Sequence, residues 1–279
     1  MTNMQYSGLH SFRSVMRFIL FAWLFIALSL PWVPAAHAQE GPLTTDLPQG
    51  VMSEQIIQKF TAKEKEFKNA RKRCTHRQSV KFQTLQGTEV NSDYEQVADV
   101  RIDDSGKKVK NVVFAPQPSM TLSPEDAEDI ESRLFFTLST DELPEYTVTY
   151  KGQQKEDDLH CFVFDVAPKQ IEKDKRYFQG RIWVDDHDFQ IVKMEGKSAP
   201  DILPKKKKQQ PNLFPKFTTY RELIDGKYWY PTYSLTDDTL HFPVADVHIK
   251  GTVKATDFKC IGGNKAPSKE AAPSKTPGH

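Results

Sequence analysis

The densest group of side chains able to do chemistry is Asp185-Asp186-His187-Asp188, whose carboxylates and imidazole are ligand types for a divalent cation. The run lacks the ligand spacing and the glycine of an EF-hand loop. Short acidic turns also cap β-hairpins, because aspartate side chains hydrogen-bond to nearby backbone amides. The sequence therefore favours a hairpin turn here over a metal site.

A basic run, Lys205 to Lys208, lies in the segment between Pro200 and Pro215 and could contact anionic lipid headgroups. Blocks of like charge usually repel one another and stay solvated. We therefore interpret the run as a solvated loop, with transient membrane contact as the alternative. The whole chain has a net charge of +1, which gives no electrostatic footprint for nucleic acid.

Nucleophiles and bases form no recognisable catalytic pattern in this sequence. The eight histidines are scattered, and neither G-x-S-x-G nor H-E-x-x-H occurs. Cys74, Cys161 and Cys260 are too widely spaced for a zinc motif, and their odd number permits at most one intramolecular disulfide. The sequence thus predicts a protein without catalysis, metal or cofactor, and it leaves the cysteine pairing open.

The amino-terminal segment predicts export. Arg13 and Arg17 precede an apolar run from Phe18 to Leu30, and Ala36-His37-Ala38 supplies a small-x-small cleavage site. The apolar run is shorter than the roughly 20 residues that a membrane-spanning helix needs. We therefore expect residues 1–38 to be a signal peptide cleaved after Ala38.

Two amphipathic helices and about ten strands are expected after the signal peptide. Ser53 indicates the start of the first helix, and Ser123 followed by Pro124 indicates the start of the second. Alternating apolar residues predict three strands before the second helix and seven after it, joined by hairpin turns such as Gln86-Gly87 to Ser92-Asp93 and Asp225-Gly226. The expected strands are Cys74–Leu85, Tyr94–Ile102, Val109–Phe114, Tyr146–Tyr150, Leu159–Val166, Arg176–Val184, Gln190–Gly196, Phe217–Ile224, Lys227–Leu235 and Asp246–Phe258.

An antiparallel sheet of this size tends to curl, and its concave side needs a cover. The predicted fold class is therefore α+β: an unclosed half-barrel whose concave face is covered by the amphipathic helices. Alternation assigns five residues to the concave wall, and helical spacing assigns three to the lid helix. These are the wall residues Phe162, Phe164, Phe178, Ile182 and Val184, and the lid residues Ile56, Phe60 and Phe67.

Periodicity does not decide whether this concave face is a filled core or a ligand cavity. Residues 52–261 would form this single domain, preceded by a flexible lead-in at 39–51. The Lys/Pro/Ala/Ser-rich residues 262–279 would form a disordered tail.

Several segments carry a family resemblance: Tyr177 to Asp185, Gln190 to Lys193, Thr219 to Glu222 and Asp225 to Pro231. Together they resemble the outer-membrane lipoprotein-sorting (LolA/LolB-like) superfamily, in an uncharacterised envelope branch, over roughly Met52 to Phe258. That resemblance implies an unclosed β-barrel under helices, with a hydrophobic cavity for acyl chains. The predicted signal peptide leads us to expect a periplasmic location. Some members use the same fold as a regulatory sensor.

The expected function is thus a periplasmic carrier that holds a lipid, an acyl chain or a lipoprotein. The alternative is a non-catalytic envelope sensor or protein-interaction module with a filled barrel. An envelope protein partner fits either function.

Overall fold

The computed structural model describes residues 40–46, 50–103, 105, 107–172, 175–203 and 211–260. The predicted signal peptide, the predicted tail and the Lys205 to Lys208 run lie outside these residues.

A single sheet of ten strands forms the body of the protein, in the order β3-β2-β1-β10-β9-β8-β7-β6-β5-β4. Every neighbouring pair is antiparallel. Strands β3 and β4 form the two edges, so the sheet is not closed. The predicted half-barrel is confirmed, and it is the architecture that the lipoprotein-sorting resemblance implies. The strands are β1 Cys74–Gln86, β2 Glu89–Ile102, β3 Lys108–Phe114, β4 Tyr146–Glu156, β5 Leu159–Pro168, β6 Tyr177–Asp185, β7 Ile191–Ala199, β8 Phe217–Ile224, β9 Tyr228–His241 and β10 Asp246–Cys260.

One predicted turn is wrong. Strand β2 begins at Glu89, so most of the segment expected to be a turn between Gln86 and Asp93 continues the ladder with β1. Gly87, at φ 64°, makes the reversal. The polar residues of Glu89–Asp93 have low strand propensity, but backbone pairing with β1 overrides it.

Two α-helices accompany the sheet. Helix α1, Ser53–Ala70, precedes β1, and helix α2, Pro124–Phe135, lies between β3 and β4 in the chain. Helix α2 has the expected cap: the Ser123 hydroxyl accepts a hydrogen bond from the Asp126 amide at 3.1 Å. Helix α1 is capped one residue earlier than expected, at Met52, whose amide donates to the Gln55 side chain. Neither helix, within the described chain, carries an apolar stretch of the length that a bilayer crossing requires.

The two helices cover two parts of the concave face. The first cluster lies beneath α1 on β4 to β8, and Ile56 and Phe60 pack into it. The second lies beneath α2, where Ile130 and Leu134 pack on Val80 and Val253 of β1 and β10. The concave face is therefore apolar beneath both helices.

Residues 40–46 run along the β4 edge. Thr44 exchanges backbone hydrogen bonds with Gln153 at 2.7 and 2.8 Å. Gly152 makes this approach possible, because a Cβ there would lie 2.1 Å from the Thr44 carbonyl oxygen. The Glu40 carboxylate reaches the buried Lys193, which also binds Glu156 at 2.9 Å. Part of the β4 edge is thus covered.

A disulfide joins Cys74, the first residue of β1, to Cys260, the last residue of β10. Cys161 is free and buried. One intramolecular bond and one remaining thiol agree with the odd cysteine count.

Candidate functional site

The structure brings the predicted wall residues and most of the lid residues into one cluster. The five wall residues, with Ile56 and Phe60, are each at most 6% exposed. The Phe60 and Phe164 rings lie 5.4 Å apart, centroid to centroid. Wall and lid are therefore in direct contact, with helix α1 pressed onto the concave face.

Phe67, the third lid residue, lies in a different cluster near the disulfide. Its ring meets Tyr230 edge-on at 5.1 Å. The Tyr230 hydroxyl lies 3.1 Å from the Cys74 sulfur, and burial raises the pKa of this phenol to about 12. Phe67 thus fixes the carboxyl end of α1, away from the other lid residues.

A buried ion pair connects the middle of α1 to the sheet. Arg221 on β8 donates to Glu64 through both terminal nitrogens, at 2.8 and 3.2 Å. Arg221 also donates to the Phe136 carbonyl at 2.8 Å, and its guanidinium lies over the Phe67 ring. The Arg221 and Glu64 side chains are each at most 1% exposed. A bidentate pair of this kind holds the lid helix in a defined position.

Sequence reasoning missed this pair. Glu64 lies in a Lys/Glu-rich stretch that reads as solvated, and Arg221 served only as part of a resembling segment. The available signal was position: Glu64 lies four residues after Phe60 and three before Phe67, on the apolar side of the helix. A carboxylate there must be buried, and it therefore needs a cation.

Helix α2 is also tied to the sheet by polar contacts. Arg133 donates to the Thr236 hydroxyl at 2.6 Å and pairs with Asp129 on its own helix. The Thr219 hydroxyl donates to the Arg133 carbonyl at 3.0 Å. Both lid helices thus combine apolar packing with a buried arginine contact.

A cleft of about 500 Å³, here called the helix cleft, opens between the two helices and β6. Most of its lining residues are polar or charged, and the other five are aromatic, among them the wall residue Phe178. Lys68 and Lys175 on its rim are paired with Glu142 and Glu145. The aromatic lining residues are Phe135, Phe136, Tyr146, Tyr177 and Phe178. The helix cleft thus connects the protein surface to the predicted concave wall.

Arg71, just after α1, lines the helix cleft and also a second cleft of about 380 Å³ next to β1 and β3. Its guanidinium donates to the Phe135 carbonyl. Burial lowers the Arg71 pKa to about 10, and the nearby positive charge of Arg221 adds to the effect, against the opposing charges of Glu64 and Glu142. Arg71 is therefore a cation in a partly desolvated position.

The acidic run Asp185 to Asp188 forms the turn between β6 and β7. Potential ligand atoms of Asp185, His187 and Asp188 lie within 4.8 Å of one another. Asp185, however, accepts from the backbone amides of His187 and Asp188, at 3.2 and 2.6 Å, and Asp188 accepts from Trp229. The Asp185 carboxylate therefore caps the hairpin turn, and the Asp188 carboxylate connects the turn to Trp229.

No known family profile and no curated protein matches the sequence. Several solved structures are similar in fold. A DUF1329 family protein from Desulfovibrio piger is 13% identical, with 75% of this chain and 93% of that chain covered and a TM-score of 0.38. A putative outer membrane lipoprotein-sorting protein domain from Vibrio parahaemolyticus is 12% identical, with 73% and 93% covered and a TM-score of 0.34.

The third structure, a LolA superfamily protein from Nitrosomonas europaea, is 14% identical, with 75% and 96% covered and a TM-score of 0.32. At these identities and TM-scores, the similarity supports no statement about a ligand or a partner.

Proposed function

We propose that this protein is a non-catalytic periplasmic carrier that binds a lipid, an acyl chain or a lipid-modified protein on the concave face of the half-barrel. One observation carries the proposal: the helix cleft, with five aromatic residues in its lining, leads from the surface to Phe178 of the buried apolar wall. An acyl chain entering there would continue between the wall residues and the lid residues Ile56 and Phe60.

Burial of the chain supplies the driving force. Each methylene that leaves water for an apolar environment contributes about 0.8 kcal/mol. The chain must displace contacts such as the one between Phe60 and Phe164, so binding and lid opening are one event. Phe67 would stay with the disulfide end and keep the helix attached.

Two features support the periplasmic location. The predicted signal peptide precedes the described domain, and the disulfide between Cys74 and Cys260 is of a kind that persists in oxidising compartments. Cleavage after Ala38 would leave Glu40 close to the new amino terminus.

The test is native mass spectrometry with organic extraction on protein purified from its own periplasm without detergent. We expect a stoichiometric lipid or acylated peptide.

Phe178→Asp should abolish uptake of a fluorescent fatty acid, because a carboxylate would then lie on the apolar wall. Phe136→Asp, at the half-buried mouth of the helix cleft, offers a variant with a lower folding cost.

The matched control is Phe114→Asp on β3, where the native ring is 51% exposed. It should bind the fatty acid as the wild type does. Unchanged affinity in a folded Phe178→Asp variant would reject the wall assignment.

A specific observation favours the alternative function of a sensor or interaction module. Phe60, Phe164, Ile182 and Met194 are fully buried and fill the space beneath α1. Protein that purifies without ligand and takes up no fatty acid would favour a filled barrel, and an envelope protein partner would then be sought.

A further inference from the structure

Three connections at one end of the sheet each carry an exposed aliphatic side chain. They join β5 to β6, β7 to β8, and β9 to β10, and the antiparallel order of the strands places them at the same end. Ile171 is 49% exposed, Leu203 is 72% exposed and Val244 is 81% exposed. This end of the sheet is called the apolar end below.

The opposite end of the same strands is acidic. Its turns join β4 to β5, β6 to β7, and β8 to β9. In the part of the chain that the structure describes, none of these turns contains an exposed large apolar residue. Each contains aspartate instead: Asp157 and Asp158, Asp186 and Asp188, and Asp225. The two ends therefore suit different surfaces, since anionic headgroups repel carboxylates.

The helix cleft opens beside the apolar end. The β5–β6 connection, which carries Ile171, also contributes Lys175 and Arg176 to the lining of the cleft. The sheet contributes Tyr146 and Tyr177, which are the first residues of β4 and β6 at the same end. A surface in contact with the apolar end would therefore lie next to the cleft.

The spacing of the exposed side chains favours a fluid partner. Consecutive connections at this end are two strands apart, which is roughly 10 Å along the sheet. A bilayer interface accommodates such separate aliphatic side chains one by one, whereas a rigid protein would need a matching pocket for each. The sequence of the β7–β8 connection also contains Lys205 to Lys208, whose charge complements anionic headgroups.

We propose that the protein docks on an anionic phospholipid bilayer with its apolar end, and that Ile171, Leu203 and Val244 enter the interface. The acidic turns then face away from the bilayer. Cargo exchange at this surface rests on the carrier function proposed above. The helix cleft would lie beside the bilayer, and an acyl chain would pass between the two without crossing bulk water.

The experiment measures binding of the full mature protein to unilamellar vesicles by cosedimentation. The vesicles contain phosphatidylcholine alone, or phosphatidylcholine and phosphatidylglycerol in equal parts. We expect the mixed vesicles to bind at least about tenfold more tightly, because lysines near an anionic surface add to the affinity. Absence of binding to the mixed vesicles would overturn the proposal, and equal binding to both kinds would overturn the choice of an anionic surface.

Two variants test the assignment to the apolar end. Leu203→Ser/Val244→Ser removes two aliphatic side chains without adding charge, so its affinity for the mixed vesicles should fall at least about tenfold. Leu223→Ser is the matched control, because Leu223 is exposed but lies next to the acidic turn at Asp225. Its affinity should equal that of the wild type. An unchanged affinity of the double variant, or an equal loss in the control, would overturn the assignment.

Uptake of a fluorescent fatty acid from solution separates this inference from the carrier function. The Leu203→Ser/Val244→Ser protein should take up the fatty acid as the wild type does, since both residues lie outside the helix cleft and the wall. Vesicle binding without uptake would overturn the carrier function and leave the docking intact, whereas uptake without vesicle binding would overturn the docking alone. A wild type that dimerises and binds no vesicle would show that the apolar end contacts a second copy, and would also overturn the proposal.

Discussion

At the scale of single residues, Cys161 shows how position controls chemistry. It packs with Val163, Trp183 and Val192 on the opposite side of β5 from the wall residues. Burial raises the pKa of its thiol to about 12, and nearby carboxylates including Asp185 add to the shift. The thiolate is therefore disfavoured in the folded protein. The neutral thiol's contribution to stability is fully present below the unfolded pKa of about 8.5 and is lost as the pH rises through the folded value.

Cys161 should be unreactive in the native protein. At pH 8 we expect less than about a tenth of one equivalent to react with Ellman's reagent within minutes, and one full equivalent after denaturation in guanidinium. Rapid stoichiometric reaction without denaturant would contradict the buried assignment. The disulfide cysteines contribute nothing to either measurement.

Alternation along a strand predicts which side chains face inward, and the wall residues do lie together in the core. The same reasoning fails for Glu64 and Arg221, because residue type argues for exposure while position on the helix or strand dictates burial. Only three-dimensional pairing shows that each charge satisfies the other. The pairing of Cys74 with Cys260 is equally invisible, since it depends on β1 lying next to β10.

At the scale of elements, the hold of helix α1 on the sheet depends on a charge pair within an apolar surface. Removing one partner of such a pair leaves a buried unpaired charge. Replacing both partners with apolar residues of similar size leaves neither charge behind.

A double-mutant cycle tests this hold. Arg221→Met should lower the free energy of unfolding by about 3–5 kcal/mol, whereas Glu64→Leu/Arg221→Met should recover most of the loss. Denaturant titration of the four proteins measures the coupling. Additive effects of the two substitutions would mean that the pair does not hold the helix.

Helix and strand identities were largely predictable from periodicity, but boundaries depended on pairing. Strand β2 extends back to Glu89 because its backbone continues the ladder with β1, although its polar side chains argue against a strand. Helix α1 starts with a Met52 cap although Ser53 is the better capping type. At β2, pairing with β1 outweighs the local preference, whereas at α1 the Gln55 side chain supplies the local contact of the cap.

At the scale of the whole molecule, the single disulfide joins residues separated by 186 positions and pins the start of β1 to the end of β10. These strands lie in the interior of the sheet order, so the bond reinforces existing neighbours. It constrains the unfolded chain far more than the folded one.

Replacing both cysteines by serine should lower the free energy of unfolding by about 2–5 kcal/mol. Thermal or urea unfolding of the Cys74→Ser/Cys260→Ser protein measures the change. Reductant should destabilise the wild type by a similar amount and leave the variant unaffected. A reductant effect on the variant would show that another thiol is responsible.

The position of that disulfide also determines how helix α1 can swing. Cys74 follows the helix after Arg71–Arg73, and Phe67 packs beside it, so the carboxyl end of α1 serves as a pivot. Ile56 and Phe60 lie at the opposite end of the helix. In the proposed carrier, an acyl chain that enters through the helix cleft would therefore displace the helix most at Ile56 and Phe60 and least at Phe67.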